Sequence, residues 1–304
     1  MAIPDLLNLI EEELNSESLF QDEYVFSPNY LPDILPHREN ELRILASYFR
    51  TVFRHPEFST VVSISGFGRG IGKTALSKVF GKTFEEAARK VHKNLKYVHM
   101  NCRNLNKPQL ILTQILGLLI PYFPIRGFSV PELLRMLQES LSKKQLTLIL
   151  ALDDIEALLK ERGGYELVYN LVNLNNNSVK GSYGVSVIAI SNTPRVADLL
   201  EEISSRFSQN KVELNPYSSY ELKTILWERT MLGIGREKVQ VNLIPEIAAF
   251  TAGRGSAREA IDLLWLAAKR ADYNKSKMVM ITDLAELLVN TPEMNKIDLT
   301  STLW

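Results

Sequence analysis

The stretch SGFGRGIGKTAL, residues 65–76, has the composition of a loop that holds a phosphate group. It follows the apolar run VVSI at residues 61–64, which is typical of a buried strand. Glycines without side chains let the backbone curl so that successive N–H groups point at an anion. The helix predicted to begin near Lys73 offers its positive end to the same anion. The stretch therefore predicts a nucleotide site between a strand and a helix.

The Gly-Lys-Thr triplet at the end of this loop supplies the chemistry. Lys73 would reach the β- and γ-phosphate oxygens of ATP or ADP, and the hydroxyl of Thr74 suits Mg²⁺. The strict spacing requires glycine five positions before Gly72, where this chain has Phe67 and carries Gly66 one position earlier. We expect a slightly reshaped loop rather than a chance triplet in a glycine-rich turn, because strand, loop and helix follow in order. The expected nucleotide contacts are Gly68, Arg69, Gly70, Ile71, Gly72, Lys73, Thr74 and Ala75.

Composition limits the class of protein. The chain has 304 residues, 45% hydrophobic and 23% charged, as in ordinary globular proteins. Lys plus Arg and Asp plus Glu are both 35, so the net charge is zero and any DNA binding requires a local basic patch. The one cysteine, Cys102, excludes an internal disulfide framework and indicates a reducing compartment. No apolar run approaches the roughly 18 residues of a membrane span, and the N-terminus lacks a signal-peptide layout. We expect a cytoplasmic protein with no membrane partner.

The order of apolar and amphipathic segments predicts an α/β domain followed by a helical one. Four apolar runs, separated by helical patterns, predict parallel strands buried on both faces of a sheet. They are STVVSISG, KYVHMNC, LTLILALDD and GVSVIAISN. After Asn215-Pro216 only helical patterns remain. We therefore expect an α/β nucleotide-binding domain with an N-terminal extension over residues 1–216 and a helical lid over 217–304.

Polar residues follow two of the predicted strands, where ligands bind in parallel sheets. Asp153 could hold Mg²⁺ through water, and Asp154 could orient or activate the attacking water. The alternative is that both acids cap the next helix. In ATPases with this loop and acid pair the second acid is usually Glu, which is one methylene longer than Asp154. We therefore expect slow hydrolysis. Asn192 could hold the γ-phosphate or the water, and otherwise serves as a turn former.

One arginine in the helical region completes the candidate set. Ser256 is a plausible N-cap, and Arg258 falls in the first turn of the helix that follows. From a lid helix, Arg258 could clamp the γ-phosphate and report its presence through domain closure. The alternative is a solvated surface arginine.

Together these segments resemble the AAA+ ATPases and, among them, the archaeal origin-recognition initiators related to eukaryotic origin-recognition and cell-division-control replication proteins. The resemblance is carried by FSPNYLPDILPHREN, SGFGRGIGKTAL, YVHMNCRN, IPYFPIRGFSVPELL, LALDDIEALL, ISSRFSQNKVELNPYSSYEL and GSAREAIDLLWLAA. It implies a five-stranded parallel sheet flanked by helices and an all-helical lid. It also implies roles for the site residues: Walker A for Lys73 and Thr74, Walker B for Asp153 and Asp154, sensor 1 for Asn192, sensor 2 for Arg258, and an adenine site near Pro36, His37, Arg38 and Tyr217.

Two further features depend mainly on the resemblance. Arg206 looks like an arginine finger that reaches a neighbouring subunit's γ-phosphate; otherwise it is a helix-end arginine. The segment from Ile120 to Phe128 corresponds to a helical wedge placed against DNA, with Tyr122, Phe123 and Ile125 as apolar tips and Arg126 for a phosphate or minor groove. The alternative is a proline-kinked connection whose aromatic side chains are core.

The resemblance implies a replication initiator with several partners: double-stranded origin DNA, other initiator subunits and the replicative MCM helicase. Such initiators normally continue into a winged-helix domain, which this sequence lacks, so we expect weak and salt-dependent DNA binding. Two alternatives remain open. One is a regulatory or assembly ATPase that acts on protein partners without DNA. The other is an AAA+ scaffold that holds ADP permanently.

Overall fold

The computed structural model describes residues 7–8, 10–11, 14–55, 58–124, 126–174, 183–193 and 195–290. The chain forms two compact units. One is Leu31–Pro216, and the other combines Met1–Tyr30 with Tyr217–Trp304. The first unit is α/β and the second is helical.

A parallel five-stranded sheet forms the centre of the α/β unit, as the resemblance implied. Its strands are β1 (Val61–Ser65), β2 (Leu95–Asn101), β3 (Thr147–Asp153), β4 (Val185–Ile190) and β5 (Lys211–Glu213). Their order across the sheet is β2-β3-β4-β1-β5. The carboxyl ends of β1, β3 and β4 therefore meet at one edge, beside the loop that follows β1.

Helices cover both faces of this sheet. They are α1 (Glu39–Tyr48), α2 (Arg50–Arg54), α3 (Lys73–Lys90), α4 (Pro108–Leu119), α5 (Val130–Lys144), α6 (Ile155–Leu159), α7 (Gly164–Val172), α8 (Arg195–Glu201) and α9 (Arg206–Gln209). Alternate residues of β3 supply the two cores: Leu148 and Leu150 pack with α4 and α5, whereas Ile149 packs with α1 and α3. All seven residues of β3 are buried, which explains its unbroken apolar run.

The connection between α4 and α5 differs from expectation. In the described residues between Leu119 and Val130 there are turns and bends but no helix, so the segment is not a helical wedge. Pro121 and Pro124 fall within it. Proline removes a backbone donor and restricts the preceding residue, which disfavours helix here.

The helical unit has its own core. Its helices are α10 (Ser219–Gly233), α11 (Leu243–Ala252), α12 (Ala257–Tyr273) and α13 (Ile281–Asn290). Leu19, Val25 and Phe26 are buried in this core. The backbone N–H of Leu19 donates to Asp272 at 2.6 Å, and the indole of Trp265 donates to Glu23 at 2.8 Å.

These contacts correct one expected boundary. The stretch before Leu31 belongs with the helical unit and not with residues 31–216, because Leu19, Val25 and Phe26 pack there. The later change of unit lies between Pro216 and Tyr217. None of the helices in the described ranges is long and apolar enough to cross a bilayer.

Candidate functional site

The loop after β1 requires glycine at defined positions. A Cβ on Gly66 would lie 2.4 Å from the carbonyl oxygen of Leu214 and 2.6 Å from Ile71 Cδ1. The close approach that the strict motif gives to its first glycine thus falls here on Gly66, which leaves position 67 free for an exposed Phe. Gly72 has φ +98° and stands at the N-cap of α3. Gly68 and Gly70 also have positive φ.

Lys73 lies inside this curled loop. Its Nζ donates to the carbonyl oxygens of Gly66 at 3.1 Å and Gly68 at 2.7 Å. Burial lowers the pKa of Lys73, and the carboxylates at positions 153, 154 and 156 act in the opposite direction. The ammonium group is therefore held where the loop backbone encloses it, close to the acidic side chains of the sheet edge.

Arg38 supports the loop from behind. Its guanidinium is buried and donates to the carbonyl oxygens of Ile71 at 3.0 Å and Asn215 at 2.8 Å. It also pairs with Glu41 at 3.0 Å. Arg38 thus contacts the loop backbone directly. The sequence interpretation had placed Arg38 near the adenine and had not predicted this contact. Pro36 and His37 are half-buried next to it in sequence.

Thr74 and Asp153 come together as predicted. The Thr74 hydroxyl donates to Asp153 Oδ2 at 2.7 Å, and His99 Nε2 lies 3.2 Å from the same oxygen. Burial alone would raise the pKa of Asp153, but the hydrogen bonds from His99 and Thr74 outweigh it, so that pKa is lowered. Asp153 is therefore an ionised, hydrogen-bonded carboxylate at the mouth of the loop.

Asp154 and Asn192 also meet. The Asn192 amide donates to Asp154 Oδ1 at 2.6 Å, and Arg103 Nε lies 2.8 Å from Asp154 Oδ2. Asp154 has the left-handed backbone values φ 52° and ψ 47° directly before α6. It makes no side-chain N-cap bond to α6, so the helix-capping alternative does not apply to Asp154. Its two oxygens therefore contact side chains that follow β2 and β4.

Three polar residues of this site were missed by the sequence interpretation: His99, Arg103 and Glu156. Glu156 Oε1 accepts from the backbone N–H of Asn192 at 2.9 Å and lies 2.6 Å from the Ser191 hydroxyl. It thereby fixes the turn that carries the Asn192 amide. The available signals were a histidine inside the apolar strand KYVHMNC and a third acid in DDIE.

The remaining predicted residues are more scattered. Arg206 is exposed and donates to the carbonyl oxygen of Ser59 at 3.4 Å. Tyr217 is buried, and Arg258 is exposed on the first turn of α12 behind the N-cap Ser256; both belong to the helical unit. Arg69 is exposed on the loop, and Ala75 is half-buried in α3.

The predicted DNA-contacting segment is split in its exposure. Tyr122 is fully exposed, and Arg126 is also exposed. Phe123 is instead half-buried, and its ring stacks on Phe128 with centroids 5.6 Å apart. Phe123 packs against the core of the α/β unit, which corrects its expected role as an open tip. Ile125 lies outside the described residues.

The residues at the loop fit a magnesium–nucleotide complex. A hydroxyl and a carboxylate are hard oxygen ligands of the kind that Mg²⁺ prefers, and Mg²⁺ usually takes only one or two protein ligands beside phosphate and water. Over the described ranges, no group of three or more His, Cys, Asp or Glu side chains could hold a metal by itself. The glycine cradle, Lys73 and the helix end supply donors for phosphate oxygens.

Comparison with known proteins agrees with this arrangement. Residues 62–200 match the model of the AAA domain, and residues 223–286 match the Cdc6 AAA+ ATPase-type lid domain. The ORC1-type DNA replication protein 2 of Sulfurisphaera tokodaii is 30% identical over 293 residues, which cover 92% of this chain and 68% of that protein.

Solved structures give the same result. The Aeropyrum pernix ORC1 protein, in complex with DNA, has a TM-score of 0.77 at 28% identity, covering 89% of this chain and 70% of that one. The Aeropyrum pernix ORC2 protein, with ADPNP and ADP, has a TM-score of 0.81 at 26% identity, covering 89% and 72%. With its AAA+ domain, its lid and its sequence similarity over nearly the whole length, this chain belongs to the ORC1-type DNA replication proteins.

Proposed function

We propose that the chain binds ATP with Mg²⁺ at the loop before α3, hydrolyses it slowly, and uses the bound state as a switch for origin DNA binding. One observation carries this proposal: Lys73, the Thr74–Asp153 pair and the Asp154–Asn192 pair converge at one edge of the sheet. The solved ORC2 relative with ADPNP and ADP supports the nucleotide class.

Each residue has a role that its contacts permit. The ammonium group of Lys73 would exchange its two carbonyl acceptors for phosphate oxygens. Thr74 and Asp153 would hold Mg²⁺, which supplies charge neutralisation of the phosphates when bound. Asp154 would take the proton of the attacking water, and Asn192 would orient that water or the γ-phosphate. Arg258 would act from the lid on the γ-phosphate.

DNA binding and assembly form the second part of the proposal. Tyr122 and Arg126 are exposed and would meet the duplex, and the ORC1 relative was solved with DNA. The exposed Arg206 would reach the nucleotide of a neighbouring initiator subunit. Loading of the replicative MCM helicase would follow from the same nucleotide-dependent state.

The nucleotide part is tested by Lys73→Ala with a fluorescent ATP analogue. Loss of a buried ammonium that bonds charged phosphates should weaken binding at least about 100-fold. Lys78→Ala, on the same helix and partly exposed, is the matched control and should bind normally. Equal affinity of the Lys73 variant and the starting protein would refute the site.

The DNA part is tested by fluorescence anisotropy with duplex DNA at low salt. Arg126→Ala should weaken binding by about tenfold, the effect of one lost phosphate contact or one inserted arginine. Arg135→Ala, exposed on α5, is the control. If neither the starting protein nor the variants bind DNA, an ATPase that acts on protein partners becomes the better assignment.

A further inference from the structure

We propose that His99 is a positioning residue for Asp153, held in one tautomer by a hydrogen-bond chain that begins on helix α3. The inference rests on the proposed function, because it concerns Mg²⁺ bound together with the nucleotide. It assigns a role to three polar side chains that the nucleotide contacts above do not use: Ser77, Tyr97 and His99.

The sheet register places His99 beside the carboxylate. Asn101 at the end of β2 pairs with Asp153, so His99, two residues earlier, projects on the same face as Asp153. Its side chain is only 14% exposed, and Nε2 lies 3.2 Å from Asp153 Oδ2. A polar ring that is mostly shielded from water needs hydrogen-bond partners for both nitrogens.

The chain of contacts fixes which nitrogen carries the proton. Tyr97 OH lies 3.1 Å from His99 Nδ1, and Ser77 Oγ lies 2.8 Å from Tyr97 OH. An ionised carboxylate only accepts, so Nε2 carries the proton and donates to Asp153. Nδ1 then accepts from the Tyr97 hydroxyl, whose oxygen accepts from Ser77. Every donor in this chain of contacts then has an acceptor.

The tyrosine is itself held against bare backbone. A Cβ on Gly81 of α3 would lie 2.2 Å from the Tyr97 ring, so the ring occupies the space that a side chain would fill. Ser77 and Gly81 are both on the helix that begins at Lys73. The phosphate-loop helix and the carboxylate Asp153 are thus joined through one partly buried chain of hydrogen bonds.

This arrangement restricts the free lone pairs of Asp153. Oδ2 accepts from Thr74 and His99, and Oδ1 accepts from the backbone N–H of Asp154 at 3.0 Å. A carboxylate offers about four lone-pair positions, and these described donors fill three. Rotation of the group is blocked, and one position remains for a metal-bound water. Partners of this kind around metal ligands commonly change metal affinity about 10- to 100-fold.

The test compares nucleotide affinity with and without Mg²⁺. Binding of a fluorescent ADP analogue is measured in excess Mg²⁺ and in excess EDTA, and the ratio of the two affinities gives the contribution of the metal. His99→Leu replaces the imidazole with an apolar side chain of similar size that has no N–H. The ratio should therefore fall about tenfold, while the affinity in EDTA stays unchanged. His99→Gln offers an amide donor and a carbonyl acceptor and should restore the ratio. Tyr97→Phe should show a smaller loss.

The exposed histidine His55 gives the matched control, His55→Leu, which should leave the ratio unchanged. An unchanged ratio in His99→Leu, or an equal loss in both conditions, overturns the inference. So does a starting protein that binds nucleotide equally well with and without Mg²⁺, a result that leaves nucleotide binding intact. If His99→Leu does not fold, an unchanged ratio in Tyr97→Phe overturns it instead. A starting protein that binds no nucleotide in either condition refutes the proposed function itself.

Discussion

Both carboxylate oxygens of Asp154 are engaged, one by the Asn192 amide and the other by the half-exposed guanidinium of Arg103. These two contacts hold the carboxylate in place, so it must release Arg103 before it can turn toward the attacking water. Arg103→Ala should therefore raise the rate of ATP hydrolysis about threefold, which corresponds to about 0.7 kcal/mol, within the range of an exposed ion pair. ATP affinity should not change.

Phosphate release under single-turnover conditions measures this effect separately from binding. Arg135→Ala removes an exposed arginine that pairs with Glu139 on the surface, and its rate should equal that of the starting protein. A slower Arg103 variant would show instead that Arg103 contributes to the reaction directly.

Cys102 provides a second prediction at the residue scale. It is fully buried beside the acidic sheet edge, and burial, followed by the charges of Asp153 and Asp154, raises the pKa of its thiol to about 12. Below that pH the thiol is neutral, and only the thiolate reacts with disulfide reagents. At pH 8, labelling of the folded protein with Ellman's reagent should be at least about 100-fold slower than in denaturant. Fast labelling of the folded protein would contradict the buried position.

Single residues of the site could be predicted from the sequence where they belong to a local motif with a known chemical role. Lys73, Thr74 and Asp153 follow from a strand, a glycine loop and an acid at the end of a later buried strand. His99 and Arg103 were not found because their partners are set by strand register and by a turn after β2, neither of which has a local sequence signature. The shift of the first glycine to position 66 was visible, but its cause, the carbonyl of Leu214, lies far along the chain.

At the scale of elements, helix α3 allows the effect of side-chain packing on stability to be compared with the effect of intrinsic helix propensity. Alanine is a better helix former than glycine by about 1 kcal/mol, so Gly→Ala in a helix normally stabilises. At Gly81 the new methyl group would overlap the Tyr97 ring, and overpacking typically costs about 1–3 kcal/mol. We expect Gly81→Ala to lower the free energy of unfolding.

Helix α4 supplies the control. A Cβ on its Gly117 would meet no atom within 4 Å, so Gly117→Ala should raise the free energy of unfolding by up to about 1 kcal/mol. Urea denaturation of both variants measures the two effects of opposite sign. Stabilisation by both substitutions would mean that the Tyr97 ring moves away freely.

Long elements were largely predictable, since their periodicity reflects burial. Four strands appear as apolar runs, and the pattern predicted around 73–92 is the helix Lys73–Lys90. β5 has only three residues, with one buried, and carries no periodic signal of its own. The segment from Ile120 to Phe128 was expected to be helical from the resemblance, whereas its two prolines favour the turns that the structure has in its described residues.

At the scale of the whole molecule, the chain divides into two units that each have their own core. The pattern of strands and helices indicated the boundary between the units near residue 216, because no strand pattern follows it. The sequence does not show that residues 14–30 belong to the helical unit, because this depends on contacts such as Glu23 with Trp265, 242 positions apart. Contacts at such separations arise from tertiary packing and leave no periodic trace in the sequence.

Phe26 is the residue on which that assignment can be tested. Its buried ring packs edge-on to Phe20 and lies where a side chain on Gly233 of α10 would otherwise fit, 2.3 Å from the position of a Cβ. Phe26→Ala should destabilise the helical unit by about 3 kcal/mol. Hydrogen exchange should then accelerate in peptides from residues 219–288, whereas peptides from the strands of the α/β unit should keep their protection.

Tyr24→Ala, in the same segment but exposed, is the control. It should lower the free energy of unfolding by less than about 1 kcal/mol and leave both exchange patterns unchanged. Faster exchange confined to residues 31–216 would place the N-terminal segment with the α/β unit after all.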